Sequence, residues 1–342
     1  MLIVLGESNC SIKKRCLTLT FVKLFSISCI LLACCFLASC GEDVFIEMKS
    51  ISNIRDIPEM NKDNIHIRDE SDLLRKLNKI IHDGHSKLQI VTDFDHTLTR
   101  HDMENGKIVL TSFGMFRECP SIPQHYKDED NRLSQIYKPI ESDPHMSLEE
   151  KTKHMVDWYK AAHMQLKGVT FPRQELTDIG SKMIECFRKG VKDLISWSQE
   201  QHVPVLVFSA GLGDCVVAAL KAADLLLPHV KVISNFLALE EDEKIVGIKG
   251  DVIHTLNKNE TAIKNTEYYE MVKDRDNVIL MGDNIGDASM AEGMDHCAEV
   301  IKIGFLGHNV EGNLPNYLNK FDIVLVNEPT VDTVNAILAL LQ

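Results

Sequence analysis

The chain has 342 residues, 44% of them hydrophobic and 25% charged, which is the make-up of an ordinary globular protein. It carries 37 Lys plus Arg against 50 Asp plus Glu, a formal charge of −13. A chain this acidic is a poor partner for nucleic-acid polymers, which take a basic surface, but local donors can still hold a single phosphate.

The first forty-odd residues differ from the rest. Residues 24–40, LFSISCILLACCFLASC, carry no charge; Lys13, Lys14, Arg15 and Lys23 precede them, and Glu42 and Asp43 follow. A basic flank before an apolar run is the pattern of a signal peptide or short membrane anchor, and it would send the following domain across the membrane. A variable extension with no membrane role is the alternative. Cys10, Cys16, Cys29, Cys34, Cys35 and Cys40 fall here, while Cys119, Cys186, Cys215 and Cys297 are scattered singly. With no CxxC pair, the cysteines signal neither a zinc site nor a disulfide framework.

Residues 69–83 predict a helix, with Leu73, Leu77, Ile80 and Ile81 on one face and Gly84 as its stop. KLQIVTDFD then predicts a buried strand ending at Asp93. Similar apolar runs follow at 203–211, 230–236, 277–283, 300–306 and 321–326, with helical patterns between several of them, such as 214–225 and 286–293. Buried runs alternating with helices predict an α/β fold with a Rossmann-like parallel sheet. Between Arg100 and Gln201 the pattern is mostly helical. Ser147 and Glu150 form a capping box, and Met155, Trp158, Tyr159, Ala162 and Leu166 make a stripe. A second helix is expected over roughly 173–200, and KDEDNR (127–132) is expected in a solvated loop. A helical insert after the first core strand is expected to form a cap over the strand ends. The segments expected are a hydrophobic piece over 1–45, core over 46–100, cap over 101–201 and core over 202–342.

Four motifs fall at or just past the ends of these elements: Asp93-Phe94-Asp95-His96-Thr97, Ser209-Ala210-Gly211, Lys258, and Gly282-Asp283 followed by Asp287. In a parallel sheet such ends converge on one crevice. Asp93 and Asp95 at the tip of a buried strand repel each other, and a cation would relieve that cost. Three gathered carboxylates suit Mg²⁺, a hard ion that takes oxygen ligands and phosphate. Ser209, the backbone N–H groups beside it and Lys258 offer donors to phosphate oxygens. Taken alone, each motif is an ordinary turn, helix start or surface lysine; order and spacing make the signal.

DxDxT, then Ser, then Lys, then GDxxxD resembles the haloacid-dehalogenase-like phosphatases. The blocks LQIVTDFDHTLTR, MVDWYKAAH, VFSAGLGD, VKVISNF, KGDVIHTLNK, NTEYY and MGDNIGD, from about Leu88 onward, resemble the cytosolic 5′-nucleotidase III family, which acts on pyrimidine and 7-methylguanosine monophosphates. The resemblance implies a haloacid-dehalogenase-like core and hydrolysis of a nucleoside 5′-monophosphate through an aspartyl-phosphate. It implies Asp93 as nucleophile and Asp95 as acid, then base. It implies Mg²⁺ held by Asp93, the Asp95 carbonyl and Asp283, with Asp287 supporting the metal or Lys258. Ser209, Ala210 and Lys258 would hold the phosphate. Glu141 would read the base's exocyclic amine, and Phe113 and Tyr159 would sandwich the base. In WYKAAH, Ala162 stands where pyrimidine-type relatives have a serine, which leans toward the methylguanosine branch without excluding CMP or UMP. A small phosphomonoester phosphatase is the rival enzyme. A phospho-receiver needs neither Asp95 nor a cap. A monomer is expected, in the cytosol, with residues 24–40 at most a tether to an intracellular membrane such as the endoplasmic reticulum; a signal peptide is the alternative.

Overall fold

The computed structural model describes residues 50–341 apart from 144, 260–262, 264–265 and 294–295. The hydrophobic segment 24–40 and its basic flank lie outside the described residues. Among the described residues no helix is long and apolar enough to cross a membrane.

A seven-stranded sheet forms the centre. Its strands are β1 (Ile65–Ile67), β2 (Leu88–Thr92), β3 (Val205–Leu212), β4 (Val230–Asn235), β7 (Asn277–Gly282), β8 (Glu299–Leu306) and β9 (Ile323–Val326). They stand in the order β1-β9-β8-β7-β2-β3-β4 and run parallel except β1, which pairs antiparallel with β9. β5 (Leu237–Leu239) and β6 (Ile245–Ile248) form a separate antiparallel pair. Alternate side chains go to opposite faces: Ile279 and Met281 join one core cluster, Val278 and Leu280 the other. With both faces covered, the strands read as continuous apolar runs, which made them visible in the sequence.

The chain leaves β2 for β3 and β4 on one side, then returns to β7 on the other. The reversal of strand order therefore sits beside β2, where an open α/β sheet forms its ligand crevice. Thr92 lies level with Met281 of β7 and Val207 of β3, so the tips of these three strands come together.

Helix α1 (Glu70–Asp83) matches its prediction: the Asp69 side chain accepts from the N–H groups of Ser71 and Asp72, and Gly84 ends it. Between β2 and β3 lie α2 (Ser112–Arg117), α3 (Gln124–Ser142), α4 (Leu148–Met164), α5 (Arg173–Met183) and α6 (Val191–Glu200). The Ser147–Glu150 capping box opens α4. Helix α3 pairs with α4. After β3 come α7 (Gly213–Ala222), α8 (Glu267–Val272), α9 (Val310–Leu318) and α10 (Asp332–Ala339). Helix α5 packs on α7 and α6 on α10, so the end of the insert joins the layers that flank the sheet.

Three expectations are corrected. The helix expected over 173–200 is two, α5 and α6. Between them Phe187 pairs with Thr99, Lys189 pairs with Thr330, and Gly190 turns at a φ of 85°, a left-handed value that suits glycine. The segment 127–132 lies within α3, where its charges form pairs such as Arg132 with Glu129, so a solvated face was mistaken for a loop. Over 286–293 there is only a 3₁₀ turn, Ile285–Ser289, closed by reciprocal capping between Asn284 and Asp287.

Candidate active site

Asp93 follows directly on β2 and donates its N–H to the Met281 carbonyl at 2.9 Å, which fixes it against β7. Asp283 follows directly on β7, and Ser209, Ala210 and Gly211 end β3. Lys258 arrives from the segment between β6 and α8. It is only 2% exposed, with Nζ 2.5 Å from Asp93 Oδ1 and 2.7 Å from Asp287 Oδ1. These residues line one cleft together with Asp95, Phe113, Tyr159 and Thr255.

Four carboxylates, Asp93, Asp95, Asp283 and Asp287, line this cleft with the Lys258 ammonium, which bonds Asp93 and Asp287. Burial pushes Asp93 up to about 7; Lys258 opposes the rise, while Asp287 and Asp95 add to it. Burial, then the charges of Asp93 and Asp287, raises Asp283 well above the usual carboxylate range. Burial alone would lower Lys258, but the carboxylates of Asp287 and Asp93 override it and keep the ammonium charged. The excess negative charge is what a divalent cation would neutralise.

Carboxylate oxygens of Asp93, Asp283 and Asp287 lie within 4.8 Å of one another, an all-oxygen set that fits a hard ion. Asp287 is already engaged: Oδ1 receives Lys258, and Oδ2 accepts the N–H groups of Asp283 and Asn284 at 3.1 and 2.9 Å. Asp93 and Asp283 are therefore the freer donors, and Asp287 holds Lys258 and the turn in place.

Asp95 is not in that set. Ser112 donates its N–H to Oδ1 at 2.7 Å and its hydroxyl to Oδ2 at 2.6 Å. Burial raises Asp95 to about 6, and the two bonds from Ser112 restrain the rise.

Ser209 is fully buried and its Oγ accepts the Gly211 N–H at 3.0 Å. The Ala210 carbonyl accepts from Tyr159 Oη and Asn235 Nδ2, which holds that turn. Phe113 and Tyr159 meet in the cleft with ring centroids 6.2 Å apart, but at an interplanar angle of 78°. They form a corner on one side of the cleft. Phe113 instead lies nearly parallel to His163, which is buried on α4. Glu141, in the last turn of α3, accepts a hydrogen bond from Thr255 Oγ1 at 2.6 Å.

The pyrimidine 5′-nucleotidase (UMPH-1) family model matches residues 96–342. This chain belongs to that family of 5′-nucleotidases. The nucleotidase is 41% identical over 290 residues to the 7-methylguanosine phosphate-specific 5′-nucleotidase of Drosophila melanogaster, covering 84% of this chain and 91% of that protein. It is 34% identical over 255 residues to the Homo sapiens protein of the same name, covering 75% and 85%. A crystal structure of cytosolic 5′-nucleotidase IIIB bound to cytidine has a TM-score of 0.81 at 40% identity, covering 84% of this chain and 97% of that one. Membership makes the chain an enzyme, a hydrolase of nucleotide monophosphates. The family model's span begins one residue past Asp95, while the similarity to the Drosophila melanogaster protein, over 84% of this chain, extends across both motif aspartates.

Several residues of the nucleotidase's site were missed in the sequence. Ser112 lies in LTSFGMF, where nothing sets it apart from a helix start. Thr255 is an unremarked threonine until the fold sets it beside Glu141. Arg188 sits in CFRKG, which reads as helix, yet its buried guanidinium donates to the carbonyls of Thr97 at 2.8 Å, His96 at 2.6 Å and Glu328. It thereby braces the loop that follows Asp95. Tyr317 donates to the Asp283 carbonyl at 2.5 Å and does the same for the β7 tip.

Proposed function

We propose that this nucleotidase hydrolyses 7-methylguanosine 5′-monophosphate and CMP ahead of UMP, with Mg²⁺, through an aspartyl-phosphate on Asp93. The observation that carries the base preference is Glu141, held by a hydrogen bond from Thr255, which itself lines the cleft. A carboxylate accepts from an exocyclic amine, which cytosine and guanine have and uracil lacks. The 7-methylated base is also cationic, which favours both a carboxylate and the ring faces of Phe113 and Tyr159. Ala162 in place of a serine agrees with this leaning.

Asp93 attacks phosphorus and the P–O5′ bond breaks as Asp95 gives its proton to O5′. Asp95, now a carboxylate, takes a proton from the water that attacks the aspartyl-phosphate and frees phosphate. Lys258 stabilises charge on the transferring phosphoryl group, and Ser209 with the Ala210 backbone orients it. Asp93, Asp283 and the Asp95 carbonyl would hold Mg²⁺, whose bound charge would offset that of the phosphoryl oxygens. We place the lid in α3 and α4, because α2, α5 and α6 pack on core elements.

The test is phosphate release from CMP, UMP, GMP, AMP, 7-methyl-GMP and phosphoserine, with and without Mg²⁺. 7-Methyl-GMP and CMP are expected to lead. Glu141→Gln should cut kcat/KM for these two by about 10- to 100-fold and UMP far less, since a buried amine loses its charged acceptor. An equal fall on every nucleotide would make Glu141 structural. Phosphoserine turned over as fast as the nucleotides would favour the small-phosphatase reading.

The cytosol is the proposed compartment, because the structural relative is named a cytosolic enzyme and because of Asn259. Asn259-Glu260-Thr261 is a glycosylation sequon beside Lys258, which enters the cleft. A glycan there would obstruct the site. Peptide mapping of Asn259 from the native source, with and without glycosidase, is expected to find it bare; an occupied Asn259 would mean translocation.

A further inference from the structure

We propose that Ser112 is the positioning residue of the reaction: it sets the orientation in which Asp95 delivers and recovers its proton. This rests on the reading of Asp95 as acid and base.

Ser112 is fully buried at the first position of α2, behind the Thr111 cap. Its N–H and its hydroxyl take separate oxygens of Asp95, at 2.7 and 2.6 Å. Two bonds to two oxygens leave the carboxylate a single rotamer. The hydroxyl's own direction is also fixed, because Oγ accepts the Leu212 N–H at 3.0 Å and so must aim its hydrogen at Asp95. The chain of bonds runs from the end of β3, through the insert, to the acid of β2.

The packing allows no slack. A Cβ on Gly211 would come within 2.1 Å of Ser112 Oγ and 2.7 Å of Asp95 Oδ2. The glycine is what lets the three segments touch. Such an arrangement does more than satisfy a buried hydroxyl, which one bond to a backbone carbonyl would achieve. It binds the acid to a residue of the insert, so α2 must be docked on β3 before Asp95 is aligned. The acid step is thereby tied to the seating of the insert.

The experiment compares a nucleoside 5′-monophosphate with its 5′-S-phosphorothiolate, in which sulfur replaces the bridging oxygen. Base, sugar and phosphate stay the same, so any disturbance of Phe113 next in the chain affects both substrates alike. The thiolate departs without a proton, and the alkoxide needs one. Ser112→Ala, which keeps the backbone N–H, should lower kcat/KM for the oxygen ester by about 30-fold, within the usual range of acid–base assistance, and for the sulfur ester by no more than about threefold. An equal fall on both esters, or no fall on either, would overturn the proposal. Asp95→Asn is run beside it: if that change leaves the oxygen ester untouched, the acid role itself fails, which is a separate result. Thermal unfolding checks each variant. Should Ser112→Ala not fold, Ser112→Cys, of similar size but with a weak donor, is judged by the same ratio of the two esters.

Discussion

Asp93→Asn is expected to abolish phosphate release, with a loss on the order of 10⁵-fold or more, the scale seen when a nucleophile is removed. The amide is the same shape but cannot form the acyl-phosphate. The fold should survive. Asp93 is buried beside Asp287, with which it shares the Lys258 ammonium, and burial already raises it to about 7. Making it neutral removes one repelled charge, and Lys258 keeps its bond to Asp287 at 2.7 Å. The variant should therefore unfold at a temperature no lower than the parent when both are free of metal. Acid-quenched enzyme exposed to labelled nucleotide should carry label in the parent and none in the variant. Turnover within tenfold of the parent would remove Asp93 from the chemistry.

That the Asp93 motif could be found at all follows from the sheet. Strands β2, β3 and β7 are covered on both faces, so each is a mainly apolar run, with Gln89 the exception in β2, and a polar residue stands at or near its end. Asp93, Ser209 and Asp283 stand out in the sequence for that reason, and the parallel order then brings them together. Lys258 had no such marker; only its family motif suggested it, and the fold shows it buried between two carboxylates.

The insert was harder to read because its amphipathic helices alternate little between buried and exposed runs. The break at Gly190 depends on Arg188 turning inward to carbonyls distant in sequence, a demand set by tertiary structure. β1, β5 and β6 are three or four residues long, too short to show a period. Ser112 and Thr255 are small polar residues whose partners are 17 and 114 residues away. A hydroxyl says nothing about its partner until the chain has folded, so both were invisible. The corner formed by Phe113 and Tyr159 shows the same limit: sequence could nominate the two rings but not the angle between them.

Chelation by EDTA is expected to silence the enzyme by at least about 100-fold, with recovery on adding Mg²⁺, and the effect of Mg²⁺ on stability should depend on pH in a fixed direction. Asp93 ordinarily titrates near 3.8 and is held at about 7 in the fold, burial being the main cause. Asp283 is shifted the same way. Between those two values the folded, metal-free protein keeps protons that the unfolded chain has released. The folded state then binds more protons than the unfolded one, so metal-free stability must fall as pH rises through this window. A cation supplies positive charge in place of those protons, and it competes with them. At pH 8 the protons are gone and Mg²⁺ at about a hundred times its Kd should raise Tm by roughly 5–10 °C. At pH 5.5 Asp93 holds its proton and the same Mg²⁺ should raise Tm by less than about 2 °C. Adding Mg²⁺ to weakly buffered enzyme at pH 6.5 should release protons, measured directly with a pH electrode. A Tm gain that grows toward acid pH, or proton uptake on adding Mg²⁺, would show that the ion does not sit on Asp93 and Asp283.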